Sequence, residues 1–281
     1  MRWKKGRRST NVEDRRGQRV GGGIKLTGGV VLLAVVVILL GGDPSALLDV
    51  MGDAPTTQTQ LPTAADDEAA DFVTVVLGYT EDTWREIFAS AGQTYREPTL
   101  VLFTDVVQSA CGMNSAATGP FYCPPDERVY IDLGFFRELQ RMGGGGDFAQ
   151  AYVIGHEVGH HVQKLVGTSD AVRQAQARAS SQAEANRLSV ALELQADCYA
   201  GVWAHDTNQR AGGQILESGD VEEGLRAAAA IGDDRLMRSA GRAANPESFT
   251  HGTSEQRAMW LRRGLQTGSV DACDTFTELG S

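Results

Sequence analysis

The sequence lacks several patterns that would assign it to a class at once. It has four cysteines in 281 residues and no CxxC pair, so zinc-finger and thioredoxin-like proteins are excluded. No internal repeat is evident. The main aliphatic run, residues 27–40, is 14 residues long and falls short of the roughly 20 that a membrane-spanning helix prefers. The composition, with 42% hydrophobic and 22% charged residues, is that of an ordinary globular protein.

The net charge of -10 is distributed unevenly along the chain. Residues 1–25 contain nine Lys or Arg and two acids, a charge of +7, whereas the rest has 17 basic and 34 acidic side chains, a charge of -17. A basic segment on an acidic body could be an arm that binds nucleic acid. The aliphatic run that follows favours a membrane topology instead, so we expect no nucleic-acid partner.

The aliphatic run predicts a single-pass transmembrane helix over residues 24–42, in which the stem of Lys25 reaches the interface. A cleavable signal peptide and a buried core helix are the alternatives. No small-x-small cleavage site follows Leu40, and no nearby cysteine could accept a lipid. The positive-inside rule predicts a cytoplasmic head over residues 1–23 and an extracytoplasmic domain anchored to the bacterial cytoplasmic membrane.

The even number of cysteines is compatible with an oxidising compartment. Of the three possible connectivities we favour Cys111–Cys123, which closes a short loop rich in Gly and Pro, and this leaves Cys198–Cys273 to hold the C-terminal tail. Four reduced, buried thiols are the alternative.

Local patterns divide the rest of the chain into a flexible linker, residues 43–70, and a domain, residues 71–281. Strands precede most helices, so we expect an α+β domain, zincin-like, with a small sheet packed on a buried helix. Strands are predicted at 99–107 and 128–133, the second a possible sheet edge along which a substrate pairs. Helices are predicted at 71–91, 148–166, 182–204, 221–239 and 254–265.

Residues 156–160 read His-Glu-Val-Gly-His on one of the apolar helices. Positions i and i+4 share a helix face, so His156 and His160 can both reach one Zn²⁺. Glu157 can stand beside the metal as the base that takes a proton from water. Two imidazoles and a carboxylate are costly to bury unless they are paired or coordinated, which supports the metal site. Hydrogen bonds alone are the alternative.

A catalytic site of this kind needs a third protein ligand. Gln163 and Val166 stand where the extended metzincin pattern has Gly and His, so that pattern is excluded. Glu193 and Asp197 lie at i and i+4 on a second apolar helix, where two acids repel each other without a cation. We expect Glu193 to bind zinc and Asp197 to hold the outer N–H of a ligating His. The alternative is that both acids cap the helices or form salt bridges.

HExxH followed by ExxAD on a later helix resembles the gluzincin peptidases. More closely, the chain is similar to bacterial neutral zinc metallopeptidases, a membrane-anchored family, over nearly its full length. The resemblance implies zinc, Glu193 as the third ligand and peptidase chemistry. The matching segments are NVEDRR (11–16), ACG (110–112), GPFYCPPDERVYIDLGFF (119–136), HEVGHH (156–161), ELQADCYAGVWA (193–204) and THGTSEQRAMW (250–260).

Three further residues are secondary candidates for a role at the metal site. His251 lies in a polar loop before the last predicted helix and is the candidate to hold a developing oxyanion, as a His does in gluzincins. Arg257 is the lesser candidate for that task. His161 points about 100° away from His160 on a helix and is expected to be structural or to support the ligands.

These features favour a membrane-anchored zinc endopeptidase acting on a peptide or protein substrate through water activated by Glu157. The alternative is a proteolytically silent zinc module that recognises a protein partner at the membrane. The presence of Glu157 favours the enzyme, since a purely structural site has no use for a base.

Overall fold

The computed structural model describes residues 1–18 and 63–280. Residues 1–16 form one compact unit with the chain from Thr63 onward. The described residues contain nine α-helices: α1 (Ala64–Ser90), α2 (Gly134–Arg141), α3 (Asp147–Leu165), α4 (Thr168–Gln176), α5 (Gln182–Arg210), α6 (Asp220–Ala230), α7 (Asp233–Ser239), α8 (Ser254–Thr267) and α9 (Thr275–Leu279). The strands are β1 (Val12–Asp14), β2 (Thr99–Phe103), β3 (Val106–Ser109), β4 (Gly112–Ser115), β5 (Phe121–Cys123) and β6 (Arg128–Asp132).

The α+β class expected from the sequence is confirmed. Four strands form one sheet in the order β1-β2-β6-β5, in which β1, β2 and β6 are parallel and β5 is antiparallel to β6. The single strand predicted over 99–107 is divided, because Asp105 adopts a left-handed conformation with φ of 63°. β3 and β4 then form a separate hairpin.

Two central helices, α3 and α5, carry the residues singled out in the sequence. Ser181 is the N-cap of α5, and its hydroxyl accepts a hydrogen bond from the Glu184 N–H. The helices pack closely, because a Cβ added at Gly159 of α3 would lie 3.0 Å from the carbonyl oxygen of Ala196. This approach brings one face of α3 against the middle of α5.

Residues 1–16 of the basic N-terminal segment are part of the domain. Val12 pairs with Leu100 in the sheet. The buried carboxylate of Glu81 accepts hydrogen bonds from Arg7 at 2.6 Å, Ser9 at 2.5 Å and Asn11 at 2.7 Å. The positive charge of Arg7 is therefore paired with a buried acid of the same domain.

This arrangement corrects the predicted topology. A cytoplasmic head over residues 1–23 cannot lie across a membrane from the domain, because β1 is hydrogen-bonded inside the domain's sheet. Arg16 also donates to the carbonyl of Asp66 at 2.8 Å, so the end of this segment lies beside the first turn of α1. The predicted location, a single pass through the bacterial cytoplasmic membrane with only the C-terminal domain outside, was therefore wrong.

The predicted transmembrane helix is likewise not supported. Within residues 1–18 and 63–280, no helix combines the length and apolar character needed to cross a bilayer. The predicted anchor, residues 24–42, lies outside the described residues. The folded region also begins earlier than the expected Asp71, because Thr63 forms a capping box with Asp66 and starts α1 at Ala64.

Candidate metal centre

The two histidines of the HExxH sequence lie side by side on α3. His156 and His160 are one turn apart, with ring centroids 4.7 Å from each other. Their Nε2 atoms face the carboxylate of Glu193 on α5, at 3.2 Å from His156 to Oε2 and 3.4 Å from His160 to Oε1. The structure therefore brings together the three residues that the sequence predicted as ligands.

The geometry of this group fits a zinc ion. One donor atom from each of His156, His160 and Glu193 lies within 4.8 Å of the others. Ligand atoms of a tetrahedral zinc site, about 2.0–2.1 Å from the metal, lie about 3.3 Å apart. Although burial opposes ionisation, the neighbouring imidazoles hold the pKa of Glu193 well below its usual range. A carboxylate and two imidazoles form the donor set of a catalytic zinc site with an open position.

The outer nitrogen of His156 is held by a buried ionic network. Its Nδ1 lies 2.8 Å from Oδ1 of Asp197, which also accepts from the hydroxyl of Tyr152 at 2.6 Å. Arg257 of α8 binds the same carboxylate through Nε at 2.9 Å and Nη2 at 3.0 Å. Burial alone would lower the pKa of His156, but the charge and hydrogen bond of Asp197 outweigh it and raise the pKa to about 10. The charge of Asp197 thus favours a positive charge at His156.

Asp197 therefore lies against a histidine of the site, as the sequence predicted. Tyr152 was not predicted, although its position four residues before His156 put it on the same helix face. Arg257 was the lesser candidate for the oxyanion, and its Nε and Nη2 both contact Asp197.

Glu157 lies in the same cavity as the three predicted ligands. Its side chain is buried, and desolvation raises the pKa of its carboxyl. A buried carboxylate with a raised pKa accepts a proton more readily than a carboxylate in water.

His251 reaches the cavity from the loop before α8. Its Nδ1 lies 3.1 Å from Oδ1 of Asp233. Oδ2 of the same carboxylate accepts from the backbone N–H of Thr250, His251 and Gly252. The hydrogen bond to Asp233 raises the pKa of His251. Half of its side chain remains exposed.

The site opens into a cavity of about 600 Å³. One wall is formed by β5 and the segment before it, and β5 is an edge of the four-stranded sheet. The strand predicted as this edge, β6, is instead an inner strand, paired on both sides. The apolar part of the lining consists mainly of Phe121, Phe135, Met142, Val153, Ile231 and Leu236.

His161 points away from the cavity, as expected for a supporting residue. Its Nε2 donates to the carbonyl of Arg96 at 2.6 Å, and its Nδ1 accepts from the hydroxyl of Tyr122 at 3.0 Å. The side chain is fully buried and links α3 to β5.

The predicted disulfides are confirmed. Cys111 is bonded to Cys123, and Cys198 to Cys273. The first joins the β3–β4 hairpin to β5, and the second holds the C-terminal segment against α5.

A second group of acids, Asp147, Asp220 and Glu223, lies apart from this centre. The ammonium group of Met1 binds it, at 2.6 Å from Asp147 and 3.2 Å from Asp220. Its charge is therefore already balanced in part by a cation of the chain itself.

Comparison with known proteins agrees with the geometry. The family described as "Putative neutral zinc metallopeptidase" matches residues 1–276. "Uncharacterized protein YpfJ" of Escherichia coli (strain K12) is 49% identical over 288 residues, which cover 98% of this chain and 99% of that protein. "Uncharacterized protein Rv2575" of Mycobacterium tuberculosis (strain ATCC 25618 / H37Rv) is 44% identical over 193 residues, 65% of this chain and 64% of that protein. No solved structure matches the chain.

Proposed function

The chain belongs to the neutral zinc metallopeptidase family, and from this we propose that it is a zinc-dependent endopeptidase that hydrolyses peptide bonds in the cavity beside α3. The observation that carries the proposal is the convergence of His156, His160 and Glu193, with Glu157 in the same cavity.

His156 and His160 would hold the zinc through Nε2, and Glu193 through its carboxylate. A zinc ion bound there would be a Lewis acid able to polarise a peptide carbonyl. Asp197 keeps the proton of His156 on Nδ1, so that Nε2 offers its lone pair. Arg257 and Tyr152 hold Asp197 in place from its other sides.

Glu157 would act as the base. Its carboxylate takes a proton from the attacking water and then delivers it to the leaving amine, because its raised pKa suits it to both steps.

His251 would stabilise the developing oxyanion. The bond from Nδ1 to Asp233 orients the ring, and the raised pKa favours the doubly protonated imidazole, which retains Nε2–H as a donor for the substrate. β5 would pair with an extended substrate, since an edge strand offers unpaired backbone groups.

The test compares zinc content and casein hydrolysis of the full-length wild type with those of three variants. Glu157→Gln should retain zinc and lose hydrolysis, because only the base is removed. His156→Ala should lose zinc, whereas His205→Ala, a histidine outside the cavity on α5, should retain it. Zinc retained in full by His156→Ala would refute the ligand set. Zinc bound by a wild type without hydrolysis would favour the alternative, a silent module that recognises a protein partner.

A further inference from the structure

The outer nitrogen of His160 is held differently from that of His156. Its Nδ1 lies 2.9 Å from Oε1 of Gln163, a neutral amide one turn further along α3. Gln163 is fully buried. In the sequence this residue served only to exclude the metzincin pattern.

The hydrogen bonds of Gln163 define which way its amide faces. Its Nε2 donates to the carbonyl of Leu192 at 2.7 Å and to Oε1 of Gln195 at 3.0 Å, both on α5. An amide nitrogen has two hydrogens, and both are used. Only Oε1 is left to face His160, and an oxygen can only accept. A hydrogen of His160 must therefore lie on Nδ1. In the neutral imidazole the lone pair is then on Nε2, the atom that lies 3.4 Å from Oε1 of Glu193 and that would bind zinc.

The amide of Gln195 is also fixed by hydrogen bonds. Its Nε2 donates to the carbonyl of Cys273 at 3.1 Å. Cys273 is buried and bonded to Cys198, which lies one turn after Gln195 on α5. Thr275 adds a hydrogen bond of 2.6 Å to the carbonyl of Ala191. The C-terminal segment is therefore fixed to α5 on both sides of the contact with Gln195.

From this chain of contacts we infer that Gln163 and Gln195 are positioning residues for His160, and that the Cys198–Cys273 disulfide supports them from the C-terminal segment. The inference rests on the proposed zinc site. It predicts that the affinity for zinc depends on two glutamines that do not touch the metal and on one of the two disulfides.

The expected size of the effect follows from the role of such contacts in other metal sites. Losing the partner of a ligating imidazole costs about 10–100-fold in metal affinity, because the ring is no longer held in the ligating tautomer and orientation. Gln195 acts one contact further away, so its loss should cost less than that of Gln163.

The test measures zinc affinity by competition with a chelator, on full-length protein. Gln163→Met should weaken binding by about 10–100-fold, and Gln195→Met by a smaller factor. Gln176→Met is the matched control, since Gln176 also donates to the backbone of α5, at Ala185, but lies outside the centre. Its affinity should equal that of the wild type.

A spectroscopic measurement separates positioning from general packing. In the zinc-loaded wild type, the Nδ1–H of His160 should give a slowly exchanging NMR signal, because the proton is hydrogen-bonded to a buried amide. Gln163→Met should lose this signal while thermal unfolding shows that the domain remains folded. A preserved signal, or an affinity no lower than that of Gln176→Met, would overturn the inference.

The disulfide is tested with paired substitutions. The double variant that removes this disulfide, Cys198→Ala with Cys273→Ala, should have a lower affinity for zinc. The double variant that removes the other disulfide, Cys111→Ala with Cys123→Ala, should keep the wild-type affinity. Equal affinities for the two double variants would refute the role of Cys198–Cys273. These measurements need no hydrolysis, so they are independent of peptidase activity, and a wild type that binds no zinc would instead reject the proposed function itself.

Discussion

At the residue scale, the two imidazoles that face Glu193 are held by partners of different charge. Asp197, itself bound by Arg257, holds His156, and the amide of Gln163 holds His160. In both rings Nδ1 is occupied, so Nε2 faces the same carboxylate. Such outer contacts orient imidazoles for a cation before any substrate arrives.

His251→Ala should lower kcat by about 10²–10³-fold, because a dedicated oxyanion donor contributes roughly that factor. Zinc content and the free energy of unfolding should stay near those of the wild type, since the side chain is half exposed. Steady-state kinetics and metal analysis provide the measurement. An unchanged kcat would remove His251 from the mechanism.

The buried His161 predicts a pH dependence of stability. Desolvation lowers its pKa below the ordinary value of 6.5. Below about pH 6.5 the unfolded chain therefore binds more protons at this residue than the folded domain does. The contribution of neutral His161 to the free energy of unfolding is complete above pH 6.5. It is lost as the pH falls through the lowered pKa of the folded state. A proton added at Nδ1 would also oppose the donor hydroxyl of Tyr122.

Urea unfolding of the metal-free protein between about pH 5 and 8 tests the predicted pH dependence of stability. The loss of stability at low pH should be smaller in His161→Gln, whose amide can still donate to Arg96 and accept from Tyr122 but does not titrate. If the free energy of unfolding depends on pH identically in the wild type and in His161→Gln, His161 does not contribute to the pH dependence of stability.

At the element scale, the site depends on close packing of three helices. α3 carries the two histidines, α5 carries Glu193 and Asp197, and α8 carries Arg257. α5 and α8 approach closely at a glycine, since a Cβ on Gly264 would lie 2.0 Å from the carbonyl oxygen of Cys198. No side chain can fit there without moving α8.

Gly264→Ala should therefore destabilise the domain by about 1–3 kcal/mol or more. It should also weaken zinc binding, because displacing α8 moves Arg257 away from Asp197. Urea unfolding and chelator competition measure the two effects. Gln266→Ala, an exposed position on the same helix, should change neither. Wild-type stability in Gly264→Ala would show that the helices can separate freely.

At the scale of the whole molecule, the N-terminal 16 residues complete the domain. β1 extends the sheet, and the basic residues of this segment pair with acids of the domain, among them Arg8 with Asp71 and Arg16 with Asp67. Part of the charge asymmetry of the sequence thus corresponds to ion pairs within one unit.

Glu81→Ala should release this segment, because the buried carboxylate binds Arg7, Ser9 and Asn11 together. Trypsin should then cleave within residues 7–16 faster than in the wild type, as followed by mass spectrometry. Glu86→Ala, at an exposed acid of the same helix, should leave the rate unchanged. Equal rates for both variants would contradict the role of Glu81.

The sequence by itself determined the features that depend on short spacing. A helical repeat places His156 beside His160 and Glu193 beside Asp197, and the strand and helix patterns indicated an α+β domain. The even cysteine count and the short loop between Cys111 and Cys123 indicated the disulfides. The helix and strand patterns follow from local geometry, which sequence periodicity encodes directly. The Cys198–Cys273 pair, 75 residues apart, was instead predicted as the pair that remained.

The tertiary structure alone decided what depends on contacts distant in sequence. The sequence showed nine basic residues near an aliphatic run, and only the pairing of β1 with β2 revealed that residues 1–16 belong to the domain. Likewise, Arg257 meets Asp197 only because α8 packs on α5, and Gln195 meets the carbonyl of Cys273 only after the tail has folded back. Such contacts are formed by packing and strand order, and no local period in the chain specifies them.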